Sequence, residues 1–181
     1  MSSRKSCWIA LIRAIGPATH KKMSMAQLRD ACSRAGFEEV QTVLATGNVI
    51  FFSDKPGSEI IKSLDDVLGN HGLENEVFLR QPKDLEAVLA ANPFPAAAAA
   101  RSNHMLVLFM SSAPSGSEIA AVGAYDGPER IAVKGNEAYI DYVNGVAGSR
   151  LTPARLEKLL GRPGTARNWN TVQRLAEKSA G

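Results

Sequence analysis

Two apolar runs of strand length, "VQTVLA" (40–45) and "NVIFF" (48–52), meet at Thr46-Gly47-Asn48. Runs this short and this close, with glycine at the join, read as a β-hairpin. The flanking segments constrain the fold further. "CWIALI" (7–12) is a strand-length apolar run, and 14–23, "AIGPATHKKM", is a loop rich in breakers. Ser24 and Gln27 form an S-x-x-Q capping box, and Met25, Leu28, Cys32 and Ala35 recur at helical spacing up to Gly36. After Pro56-Gly57, Ser58 opens a second helix to about residue 70, with Ile60, Ile61, Leu64, Val67 and Leu68 inward. "NEVFLRQ" (75–81) closes the set as a strand. The order β-α-β-β-α-β is the ferredoxin-like plan, with right-handed crossovers placing the helices on one face of an antiparallel sheet.

A second copy follows. Pro82 starts a connecting helix and "NPFPAAAAAR" (92–101) reads as a linker whose alanines favour a short helix. Then come a strand (104–110), a helix (115–124) and a hairpin (130–143) turning at Gly135-Asn136. Thr152-Pro153 starts a helix to Leu160. "TGNVIFF" and "KGNEAYI" put Gly-Asn at the same place in both copies, which supports an internal repeat. No final strand is evident in the second copy. The expected fold class is α+β, with units at 1–81 and 104–181 joined by 82–103.

The chain has 181 residues and a formal net charge of +3. That permits an anionic partner without demanding nucleic acid. Aromatic residues are 6%, and Phe51 and Phe52 point to opposite faces, so base stacking on a sheet has little support. RNA binding or a protein-interaction role stands as the alternative reading. Cys7 and Cys32 read as structural thiols in a reducing compartment. The basic start "MSSRKSCWIALI" imitates a signal peptide, but Arg13 ends the apolar run early. No stretch reaches the length of a membrane span, so the expected location is cytoplasmic.

No phosphate-binding glycine loop occurs, and His20, His71 and His104 lack metal-ligand spacing. No general base identifies itself, so catalysis and cofactor stay open. The ferredoxin-like topology brings the end of the first strand, the start of the first helix and the hairpin turn together. Arg13, His20, Lys21, Lys22, Ser24, Thr46 and Asn48 are then expected near each other as a candidate anion site. The terminal "RNWNTVQRL" adds Arg167, Asn168 and Asn170. One asparagine suffices to cap the last helix and Trp169 fits its core face, which leaves Arg167 and the other asparagine for a ligand.

"WIALIRAIG", "KMSMAQLRDACSRAGFEEVQTVLATGNVIF" and "TARNWNTVQRLAE" resemble the bacterial DUF1697 family, from about residue 8 to 178. The resemblance implies tandem ferredoxin-like units and no known activity. It implies R-G-I-N followed by glycines where this chain has Arg13, Ala14, Ile15 and Gly16, then Pro17-Ala18. It implies S-G-N where this chain has Thr46-Gly47-Asn48, and it leaves R-N-W-N-T intact. One shared pocket would join Arg13, its loop, Asn48 and the segment from Arg167 to Asn170. The ligand expected there is a nucleotide or phosphorylated metabolite.

Overall fold

The computed structural model describes residues 4–181. The chain forms two compact units, 1–85 with 175–181, and 86–174. Unit 1 contains β1 (Ser6–Ile12), α1 (Pro17–His20), α2 (Met25–Arg34), β2 (Glu38–Val43), β3 (Asn48–Ser53), α3 (Gly57–Gly69) and β4 (Val77–Arg80). Helix α4 (Pro82–Ala90) leads into unit 2. There follow α5 (Pro95–Ala100), β5 (Met105–Met110), α6 (Gly116–Gly123), β6 (Arg130–Lys134), β7 (Glu137–Asp141), α7 (Pro153–Leu160), β8 (Gly164–Asn168) and α8 (Trp169–Ser179).

Each unit is a four-stranded antiparallel sheet. The orders, β2-β3-β1-β4 and β6-β7-β5-β8, are the same permutation of a β-α-β-β-α-β unit. In unit 1, α2 and α3 cover the face carrying Ala10, Ile12, Val49 and Phe51, with Leu28, Cys32, Ile60 and Leu64 pointing into it. In unit 2, Leu108, Met110, Ala138 and Ile140 pack with Val122 of α6 and Leu156 and Leu160 of α7. The opposite face of the first sheet is also buried: Ile9 and Leu11 are 0% exposed and Phe78 is 3%.

Four features differ from the sequence-based expectation, besides the register of the Gly-Asn turns. The 14–23 loop contains one helical turn, α1, which Gly16 and Pro17 start. Helix α3 begins at Gly57, and its Ile61 faces solvent. Cys7 is only half-buried. The missing last strand exists as β8, a run of low strand propensity that forms because β5 offers it a complete ladder from Leu106 to Met110.

The Gly-Asn match is displaced by one residue. Ile9 lies between Ile50 and Arg80, and Val107 lies between Tyr139 and Arg167, so these trios correspond. At the turns, Ile12 N–H donates to Gly47 O at 2.8 Å and Met110 N–H donates to Asn136 O at 2.9 Å. Gly47 therefore corresponds to Asn136, not to Gly135. A one-residue slip exchanges the faces of every later side chain. Asn48 is the first residue of β3, paired with Leu11 and buried, whereas Asn136 lies in the turn before β7 and is exposed.

Candidate functional site

Two of the candidate basic residues of unit 1, Arg13 and His20, are tied by backbone groups to the close of β1 and the β2–β3 turn. Arg13 N–H donates to Glu76 O at 2.9 Å, tying the residue after β1 to the approach to β4. Asn75 Nδ2 donates to Arg13 O at 2.8 Å. Ala14 between them sits at φ 58, a left-handed conformation that glycine adopts more readily. The glycine that the family resemblance implies at this position has a physical reason, and this chain carries the strain instead.

Helix α1 is closed by reciprocal bonds between Gly16 and Thr19, at 3.0 Å and 2.9 Å. His20 Nε2 then donates to Ala45 O at 2.8 Å, pinning the segment to the β2–β3 turn. Lys22 Nζ donates to Gly72 O at 3.2 Å, and Lys21 and Lys22 are both exposed. Gly47 is required twice over. Its φ is 80, and a Cβ there would lie 2.6 Å from Ile15 Cγ1. Arg13 thus leaves the close of β1, and the segment carrying His20, Lys21 and Lys22 is tied to the β2–β3 turn at Ala45 and to Gly72.

Asn48 is fully buried. Its Nδ2 donates to Val43 O and Thr46 Oγ1, both at 2.9 Å, so it braces the turn from inside. Arg13 is half-exposed and faces Glu76 at 3.5 Å. A shallow cavity of about 350 Å³ beside it is lined by Arg13, Ala14, Glu74, Asn75 and Glu76. Sequence reasoning missed Asn75 and Glu76. The signal was available, because β4 pairs antiparallel with β1 and its approach must lie beside the residue that leaves β1.

The other predicted residues belong to unit 2. Arg167 pairs with Val107 in β8 and is 7% exposed. Its Nη1 donates to Thr165 Oγ1 at 2.6 Å and to Ala166 O at 2.9 Å. Burial lowers its pKa to about 10. Asn168 Oδ1 accepts from Thr171 N–H at 2.9 Å and from its hydroxyl at 3.0 Å, which makes Asn168 the cap of α8. Trp169 is 6% exposed, on the same buried stripe as Val172. Asn170 is exposed. Arg13, Lys21, Lys22 and Asn48 therefore lie in unit 1, and Arg167, Asn168 and Asn170 in unit 2.

Neither cysteine is an activated nucleophile. Burial pushes the Cys32 thiol up to about 12, and burial with Glu39 raises that of Cys7. Among the described residues no cluster of three or more His, Cys, Asp or Glu side chains is arranged to hold a metal. No described helix is long and apolar enough to cross a membrane. Among the described residues the exposed large hydrophobics are Leu44, Ile61, Ile119, Val143 and Val146, none of them aromatic.

No curated protein matches the sequence significantly. Conserved bacterial protein SP0830 from Streptococcus pneumoniae has the same fold, with a TM-score of 0.74 over 98% of this chain and 100% of that one at 19% identity. A family model described as a protein of unknown function matches residues 6–139, a span that ends within β7, ahead of Arg167. With that span covering most of its length, the chain belongs to the DUF1697 family.

Proposed function

We propose that the protein binds a small anionic ligand, a nucleotide or phosphorylated metabolite, at the basic end of unit 1. The observation that supports this reading is that His20 is bonded to Ala45 of the β2–β3 turn and Arg13, at the close of β1, to Asn75, with the exposed Lys21 and Lys22 following His20 directly. Lys21 and Lys22 are the exposed cations and supply the attraction. Arg13 offers a fork suited to an oxyanion once Glu76 is displaced from it. Asn48 shapes the turn beneath the ligand. In unit 2, Arg167 and Asn168 hold β8 and α8 in place, while Asn170 keeps its amide free for solvent or ligand.

Thermal stabilisation tests the reading. A panel of nucleotides, phosphorylated metabolites and carboxylates is screened against wild type, Lys21→Ala/Lys22→Ala and Arg167→Ala. The ligand is expected to stabilise wild type by about 2.7 kcal/mol at a hundredfold excess over Kd, and the lysine double variant is expected to lose that gain. Arg167→Ala is expected to melt lower with or without ligand. Failure of the lysine double variant to reduce stabilisation by any compound of the panel would sink the proposal.

A further inference from the structure

Unit 2 contains a roomier cavity, about 520 Å³ and half-open, where the loop after α6 meets the loop between β7 and α7. Its size falls within the range of small-molecule sites. Tyr125, Asp126, Glu129, Ser149, Arg150 and Arg155 are among its lining residues. Glu129 is 8% exposed and joins the two loops. Its carboxylate accepts from the Tyr125 hydroxyl at 2.5 Å and from the Ser149 hydroxyl. Burial pushes this carboxyl up, but the bonds from Ser149 and Tyr125, with Arg155 nearby, outweigh it and hold the carboxyl below its ordinary value. Glu129 is therefore an ionised strut whose oxygens are both occupied.

The arginines are placed differently. Arg155 lies over the Tyr125 ring, 5.3 Å from its centroid, and neither Arg150 nor Arg155 has a carboxylate within ion-pair distance among the described residues. Elsewhere in unit 2, Arg101, Arg130 and Arg162 each engage a carboxylate directly. Gly127 keeps the floor open. A Cβ there would lie 2.0 Å from the Tyr125 hydroxyl oxygen, so a side chain would push Tyr125 off Glu129.

We infer that this cavity is a second binding site, one that takes the phosphate group of a small phosphorylated molecule on Arg150 and Arg155. Planar guanidinium forks match phosphate oxygens. The Tyr125–Glu129–Ser149 strut fixes the two loops before the ligand arrives, so little ordering is required on binding. The site uses no residue of unit 1 and stands independently of the proposal above.

The test uses the full chain with inorganic phosphate and glycerol phosphate as probes, followed by phosphorus NMR line broadening and calorimetric titration. Wild type is expected to bind at least one probe saturably. Arg150→Gln/Arg155→Gln is expected to weaken that binding about tenfold or more while keeping the wild-type melting temperature, because neither side chain is buried. Lys21→Ala/Lys22→Ala is expected to leave it unchanged. Absence of saturable binding by wild type overturns the inference. So does binding that, in a Lys21→Ala/Lys22→Ala background, survives loss of both arginines, or that disappears with the lysines alone.

Discussion

The two units share one scaffold and differ in which connection they lengthen. In unit 1 the long connection is 13–24, between β1 and α2, where unit 2 has only 111–115. In unit 2 the long connection is 142–152, between β7 and α7, where unit 1 has only 54–56. The first insertion carries the basic end with Lys21 and Lys22, and the second walls the Arg150–Arg155 cavity. The cores differ at matching places too. Phe52 pairs with Cys7 in unit 1, whereas Asp141 pairs with Met105 at the corresponding position in unit 2. Asp141 is 0% exposed and accepts from Arg101 at 2.9 and 2.6 Å and from Arg130 at 3.0 and 2.6 Å. One plan thus tolerates an apolar solution and an ionic one, and its sites follow the loops.

The sharpest test of this correspondence is at the turns. Gly47→Ala combines a left-handed φ with a clash against Ile15 and is expected to cost about 2–4 kcal/mol. Asn136→Ala at the matching position is expected to cost under about 0.5 kcal/mol. Comparable urea midpoints for the two variants would break the one-residue correction.

Asp141→Asn is next. Removing a buried carboxylate from two guanidinium groups is expected to cost about 2–3 kcal/mol near neutral pH, moderated because Arg130 is half-exposed. Hydrogen bonds from Arg101 and then Arg130 hold Asp141 below its ordinary 3.8. Its contribution is therefore complete above that value and is lost as pH falls through the lower folded-state value. Stability curves of wild type and Asp141→Asn should converge on acidification. A gap independent of pH would remove the ionic account of this position.

Ala14→Gly is expected to stabilise the protein by about 0.5–1 kcal/mol, the relieved strain exceeding the added chain entropy. A lower melting temperature would count against strain at the entry to the unit 1 insertion. The smallest stability effect belongs to Lys21→Ala/Lys22→Ala, within about 0.5 kcal/mol of wild type in the absence of ligand. A larger loss would make these lysines structural.

The order of elements was readable because apolar runs, capping boxes and glycine turns all act locally. β8 was not, since "GTARN" becomes a strand only when β5 presents unpaired backbone beside it. The paired Gly-Asn dipeptides misled because identity of letters says nothing about register, and register decides which face a side chain occupies. The same limit applies to the candidate site. Lys21 and Lys22 stand out from composition and loop position. The cap on α8 was half-legible, since the Asn168 side chain bonds to nearby Thr171, whereas the burial of Asn48 and the contact of Asn75 with Arg13 depend on pairing across distant segments.

The outer strand β2 has one more consequence. Its pairing with β3 shifts between Glu38 and Gln41, and Glu39 within that shift has φ 48, the mark of a bulge. A bent outer strand bearing two adjacent glutamates is a poor template for a neighbouring chain. β6, its counterpart, pairs without interruption and relies on Arg130 and Lys134 at its two ends. The two halves therefore resist self-association by different means, one by backbone shape and the other by charge. High salt should expose the second half first, while deletion of Glu39 should bring the first into the same danger.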